Sequence, residues 1–153
     1  MPSERVLELP DVAATHALAA EVGATLGPGD VLALQGELGA GKTEFVRGLA
    51  AALKVPPEVA VCSPSYLLLN LYSGGARELA HFDAYFMDSE DDLERAGLQD
   101  LRRSGCVVVV EWADRVAGAL PEDALWIELR RAGRDPDARR ARLWRSAPAE
   151  AGS

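Results

Sequence analysis

The sequence is short of lysine, of cysteine and of long apolar stretches, and each shortage excludes something. No apolar run approaches the roughly 18 residues that a membrane helix needs, and no basic n-region leads one. The expectation is a cytoplasmic protein without membrane contact. The two cysteines, Cys62 and Cys106, lie without metal-ligand spacing in apolar surroundings. Both read as small buried core residues. No internal repeat is visible, and neither lysine belongs to the Asn-Lys-x-Asp tetrad that reads guanine, so ATP is preferred over GTP. The lysines are Lys42 and Lys54, against fourteen arginines. Where composition favours Arg this strongly, Lys42 marks a position that Arg would not serve.

What is present describes one ordinary domain. A chain of 153 residues, 48% hydrophobic and 26% charged, has the composition of a globular protein and the length to bury about two-thirds of its surface. The net charge of −8 argues against general adhesion to nucleic acid. Yet residues 130–145 hold seven arginines (Arg130, Arg131, Arg134, Arg139, Arg140, Arg142 and Arg145) against Asp135 and Asp137. Two readings follow: a hairpin with solvated arginines on its outer face, or a docking patch for RNA or an acidic partner.

Along the chain, Val6, Leu7 and Leu9 make a short strand that stops at Pro10. Asp11 caps a helix to about residue 26, with Val12, Leu18, Ala19, Val22 and Leu26 on one side. Residues 31–35 form an apolar strand, 36–41 a loop and 42–53 a helix. Two extended runs, 66–72 and 77–85, flank the turn Ser73-Gly74-Gly75-Ala76. Ser89 and Asp92 have capping-box spacing at the start of a helix or helix pair reaching about Arg103. Val107-Val108-Val109-Val110 reads as a strand buried on both faces. A short helix to Leu120 and a second hairpin, 126–131 with 139–145, complete residues 1–146, and the tail 147–153 is expected to be disordered. Strand-loop-helix units with added hairpins indicate α/β with a mixed sheet.

Gly36, Gly41, Lys42 and Thr43 match the phosphate-binding pattern G-x-x-x-x-G-K-[ST], led in by a strand and out by a helix. The mechanism needs that context. Glycines let main-chain N–H groups turn toward phosphates, and the helix N-terminus adds its positive end. Lys42 would bridge β- and γ-phosphates, and the Thr43 hydroxyl would ligate Mg²⁺. Such a site also needs an acid at a strand end, and two fit: Glu111 after the four valines, and Asp83 after Leu79-Ala80-His81-Phe82. One could serve the metal while the other orients the attacking water. His81 by itself reads as a structural histidine. Trp112 packs in the core or against a base, and sequence alone does not choose.

Four blocks in this order and spacing carry a resemblance over roughly residues 4–145. They are Gly36-Glu37-Leu38-Gly39-Ala40-Gly41-Lys42-Thr43, Ser63-Pro64-Ser65-Tyr66, His81-Phe82-Asp83-Ala84-Tyr85 and Glu111-Trp112-Ala113-Asp114-Arg115. Together they resemble the TsaE (YjeE) family, bacterial ATPases of tRNA threonylcarbamoyladenosine biosynthesis. The resemblance implies a three-layer P-loop NTPase-like fold with a partly antiparallel sheet, and slow, Mg²⁺-dependent ATP hydrolysis. It implies stimulation by a carbamoyltransferase-like subunit and its paralogue, with tRNA engaged only through that complex. By the same resemblance, residues 36–44, Ser65 and Trp112 contact nucleotide, Thr43 and Glu111 hold the metal, and Lys42 and Asp83 act catalytically. Three positions depart from the family pattern. Ser65 stands where Thr is usual, Glu44 where a second small hydroxyl residue is expected, and Phe86 where Arg is usual. The alternative reading is a small-molecule kinase, with residues 130–145 as an arginine-rich lid over the same loop.

Overall fold

The computed structural model describes residues 4–62, 64 and 68–145. Its strands are β1 (Arg5–Leu9), β2 (Val31–Gln35), β3 (Leu69–Tyr72), β4 (Leu79–Asp83), β5 (Val107–Glu111), β6 (Leu125–Arg131) and β7 (Arg139–Arg145). Its helices are α1 (Val12–Gly23), α2 (Lys42–Ala52), α3 (Glu90–Arg95) and α4 (Leu98–Arg103), with a 3₁₀ segment at Ala113–Ala119. The strands form one sheet in the order β1-β7-β6-β2-β5-β4-β3. The inner four are parallel, whereas β3, β7 and β1 join antiparallel. The sheet is therefore mixed, as expected.

Alternation along the inner strands builds three layers. Leu32, Leu34, Val107, Val109, Ile127 and Leu129 face one side, packed with Leu18 and Val22 of α1 and Phe45 and Leu49 of α2. Val31, Ala33, Phe82, Val108 and Val110 face the other, with Leu93, Leu98 and Val116. Each fully buried side chain of this size contributes about 1.5–3 kcal/mol of transfer free energy. A parallel sheet covered on both faces explains why β5 can be four valines in succession. Close approach of α1 to α2 depends on Gly48, where an added Cβ would meet Ala19 Cβ at 2.8 Å and His16 Cα at 2.9 Å.

Local chemistry sets the boundaries. Asp11 caps α1, its Oδ1 accepting from Ala14 N at 2.8 Å, a contact worth about 1 kcal/mol. That helix stops at Gly23 rather than near residue 26, because the chain tightens: Thr25 N and Thr25 Oγ1 both donate to Val22 O. At the head of α3, the Asp92 carboxylate accepts from the main-chain N–H groups of Asp88 and Ser89, which holds its pKa below the ordinary value.

Three expectations need correction. The β3–β4 connection spans residues 73–78 instead of four, since Tyr72 pairs with Leu79. Its tip docks on the end of α2, Ala76 N donating to Leu53 O at 2.8 Å, and that anchor draws residues 77 and 78 out of the ladder. Cys62 is exposed while Cys106 is buried. The segment after β5 is 3₁₀, entered through Trp112 in the left-handed region (φ 58°). Among the described residues no helix is long and apolar enough to cross a membrane. The tail 147–153 lies outside the described residues, as does the expected strand start at residues 66 and 67.

Candidate functional site

Parallel strands put the C-terminal ends of β2, β5 and β4 side by side, which is where α/β sheets bind ligands. The loop of residues 36–41 leaves β2 and enters α2 at Lys42. Gly41 precedes the helix at φ 101° with no side-chain cap, so the first turn keeps its amides for an anion. An added Cβ at Gly36 would lie 2.8 Å from Leu129 O, so only glycine lets the loop turn so close to β6. Leu38, at the tip, is 80% exposed.

Lys42 is buried to 6% exposure. Its Nζ donates to Gly36 O at 2.5 Å, stands 3.9 Å from Glu111 Oε1, and lies 3.9 Å from the centroid of the Trp112 ring. Burial pushes the ammonium pKa below its ordinary value, and the charges of Glu111, Asp83 and Asp114 oppose that shift.

Asp83 and Glu111 sit opposite each other in the β4–β5 register. Asp83 Oδ1 accepts from Tyr85 N at 2.9 Å. Glu111 Oε2 meets His81 Nε2 at 2.5 Å, and His81 Nδ1 lies 3.2 Å from the Tyr72 hydroxyl. An ionised carboxylate only accepts, so Nε2 is the donor to Glu111. The Tyr72 hydroxyl, with one proton to give, also lies 2.8 Å from Cys62 O. Burial raises the Tyr72 pKa, which keeps the phenol neutral. A polar chain thus runs inward from the Cys62 carbonyl through Tyr72 and His81 to Glu111. The structural role expected for His81 is met, with the addition that the residue it supports is the strand-end acid.

Two clefts flank the loop. One, of about 380 Å³, is lined by Lys42, Thr43, Asp83, Glu111, Tyr85 and Trp112 among others. The second, of about 420 Å³, lies against Glu37, Leu38, Trp112, Asp114, Glu128 and Arg131 among others. Trp112 borders both, its ring 4.9 Å from that of Tyr85. Trp112 is thus partly buried against the core and borders both clefts. Phe86 lies on the rim, 55% exposed and edge-on to Tyr85, and the Arg115 guanidinium stands 5.4 Å over the Tyr85 ring.

Other candidates fall elsewhere. The Glu44 carboxylate pairs with His16 Nε2 at 2.9 Å and with Arg47, and neither cleft includes it. Its two basic neighbours hold the side chain on the flank of α2 toward α1. Ser65 lies outside the described residues. Thr43, Asp83 and Glu111 offer hard oxygen donors, a set that suits Mg²⁺, which takes one or two carboxylates and leaves other positions to phosphates and water. Among the described residues no three His, Cys, Asp or Glu side chains could hold an ion by themselves.

The arginine-rich hairpin is β6–β7, part of the sheet. Arg140 pairs with Glu8 and Arg142 with Glu4, each at 2.7 Å; Arg130 meets Glu128 at 3.1 Å, and Arg145 donates to Asp123 O. Much of the positive charge is therefore answered by the carboxylates of Glu4, Glu8 and Glu128, which favours the solvated-face reading. Sequence reasoning missed two residues that bear on the site, Tyr72 and Arg139. The register of the hairpin would have found the first, placing Tyr72 diagonally across from His81.

A sequence profile of the family described as "Threonylcarbamoyl adenosine biosynthesis protein TsaE" matches residues 9–141. The tRNA threonylcarbamoyladenosine biosynthesis protein TsaE of Bacillus subtilis (strain 168) is 40% identical over 121 residues, 79% of this chain and 74% of that protein. Its namesake in Treponema pallidum (strain Nichols) is 43% identical over 109 residues, 71% of this chain and 78% of that protein. Among solved structures, Bacillus subtilis YdiB superposes with a TM-score of 0.79 at 31% identity, covering 96% of this chain and 88% of that one. With the profile matching most of the chain, relatives at these identities and the fold shared, the chain belongs to the TsaE family of tRNA threonylcarbamoyladenosine biosynthesis proteins and has their P-loop NTPase-like fold.

Proposed function

We propose that this protein binds Mg-ATP in the loop of residues 36–43 and hydrolyses it slowly, as the ATPase of a tRNA-modifying complex. The partners in this reading are a carbamoyltransferase-like subunit and its paralogue, with tRNA reached through them. One observation carries it: Lys42, Thr43, Asp83 and Glu111 converge on a single cleft at the mouth of the loop. The names of the relatives supply the pathway.

The loop amides and the α2 N-terminus bind the phosphates. Lys42 exchanges the Gly36 carbonyl and the Trp112 face for phosphate oxygens and neutralises charge between the β- and γ-groups. Thr43 and Glu111 would hold Mg²⁺, which when bound polarises the γ-phosphoryl oxygens. Asp83 orients a water and accepts its proton as the water oxygen bonds to the γ-phosphorus. The bond from phosphorus to the bridging oxygen breaks, its electron pair stays on ADP, and phosphate leaves. Tyr72 and His81 keep the Glu111 carboxylate aimed at the cleft. The acidic balance of the chain, −8 overall, fits a protein partner better than direct capture of tRNA.

The test is phosphate release from Mg-ATP by the purified chain, alone and with the two partner subunits. Slow release that the partners accelerate is the expected result. Rapid turnover indifferent to the partners, or stoichiometric transfer of phosphate to a metabolite as a kinase would perform, refutes the proposal.

A further inference from the structure

The hairpin β6–β7 ends in a like-charge pair. Arg131 and Arg139 are directly opposite in register, an arrangement that costs stability unless something else uses both charges. The phosphate loop lies against them. A Cβ added at Gly39 would come within 2.5 Å of Arg131 Nη2, and one at Gly41 within 3.2 Å of Arg139 Nε. Arg139 bonds to the loop across about a hundred residues of sequence: Nε donates to Ala40 O at 2.8 Å and Nη2 to Gly39 O at 3.0 Å. Its remaining Nη1 donates to Pro136 O at 2.6 Å and Ala138 O at 2.8 Å. All four acceptors are main-chain carbonyls, and among the described residues no carboxylate pairs with this guanidinium.

Peptide planarity turns these contacts into a statement about the cradle. In a trans peptide the C=O of one residue and the N–H of the next point in opposite directions, and no cis peptide is present among the described residues. Holding the Ala40 carbonyl out on Arg139 therefore directs the Gly41 N–H to the opposite side of the loop backbone. Holding the Gly39 carbonyl out reinforces the turn in which Ala40 N donates to Glu37 O at 3.0 Å. The uncompensated guanidinium also adds positive potential beside the loop.

We infer that Arg139 is a positioning residue for the phosphate loop, its forked guanidinium fixing the Gly39 and Ala40 peptides from outside so that the loop is preorganised for a polyphosphate. This rests on the proposed nucleotide reading of the same loop. Lysine cannot substitute, because a single ammonium does not present two coplanar donors. The proposal assigns Arg139 contact with loop backbone, not with substrate.

The experiment compares the wild-type chain with Arg139→Lys and Arg139→Met. It measures Mg²⁺-dependent binding of a fluorescent ATP analogue and, without nucleotide, amide hydrogen exchange. Both variants should bind the analogue roughly tenfold more weakly. Exchange should accelerate over residues 37–43, while the central strands β2 and β5 keep wild-type protection. Wild-type affinity in both variants with unaltered loop exchange overturns the inference. So does wild-type affinity in Arg139→Lys alone, which would reduce the role to charge, or exchange that accelerates equally in β2 and β5, which would make it global stability. Should the wild-type chain itself not bind the analogue, the nucleotide reading falls, and loop exchange alone decides the fate of the clamp.

Discussion

On one side of the phosphate loop, β4 and β5 end in Asp83 and Glu111, 6% and 3% exposed. On the other, β6 and β7 bring Arg131, exposed, and Arg139, half-buried. The acid side is buried, with Glu111 held by the His81 side chain, His81 by that of Tyr72, and Asp83 accepting from the Tyr85 main-chain N–H. The basic side is wet at its edge and grips main-chain carbonyls. Burying a carboxylate is costly unless it is paired and hydrogen-bonded, so the acid flank needed a chain of partners reaching into the sheet. A guanidinium keeps its charge at any working pH and tolerates water, so the basic flank needed none. In the proposed function the side chains that would handle metal and water are the buried, paired ones, whereas the opposite flank grips the main chain of the loop they face.

That contrast can be broken at graded cost. The largest effect is expected at Lys42, which links the flanks: Lys42→Ala should weaken Mg-ATP binding by at least about a hundredfold, measured by calorimetric titration. Next is Glu111→Gln, which should raise the Mg²⁺ concentration needed for half-maximal hydrolysis by about tenfold while changing metal-free nucleotide binding little. A normal magnesium titration counts against its metal-side role. His81→Phe leaves Glu111 buried without its donor, at a cost of about 2–3 kcal/mol. The thermal midpoint should then fall by about 5–10 °C and the magnesium requirement should rise. A fall in midpoint with an unchanged magnesium requirement would make His81 purely structural. Arg140→Ala, by contrast, removes only an exposed pair with Glu8 and should leave both midpoint and ATP affinity at wild-type values.

The pH dependence sharpens the same point. Burial lowers the Lys42 pKa from 10.5, so in the alkaline range below 10.5 the folded chain has begun to lose a proton that the unfolded chain still holds. Stability contributed by this group therefore rises as pH climbs through that window. Under the proposed function, nucleotide affinity should move the other way, because bound phosphates would require the ammonium. Titration of Mg-ATP affinity toward pH 10 should show it weakening before an exposed lysine would deprotonate.

The loop and α2 were legible because a strand, the spaced glycines Gly36 and Gly41 and the pair Lys42-Thr43 follow one another in one short segment, so the motif is local. So were the buried valines of β5, where an unbroken β-branched run has few alternatives. Asp83 and Glu111 could each be named from their strands, but only the parallel register brings them face to face. Tyr72 was invisible for a different reason. Its partner His81 is reached through a connection that docks on α2, and that docking shifts the register by two residues from the one its turn residues imply. Arg139 was hidden by its own company: in a segment of seven arginines, nothing local distinguishes the one that turns back onto residues 39 and 40. Glu44 shows the converse. Its place in the motif pointed to nucleotide, while its side chain pairs with His16 across the α1–α2 contact and with Arg47 one turn along α2.

The most direct measurement is a crystal structure of the protein with Mg²⁺ and a non-hydrolysable ATP analogue. The account predicts a triphosphate within the loop, Lys42 moved from the Gly36 carbonyl to the phosphates, and a metal beside Thr43 on the Asp83–Glu111 side. A loop that stays closed over Lys42, with the analogue absent or bound elsewhere, would contradict it.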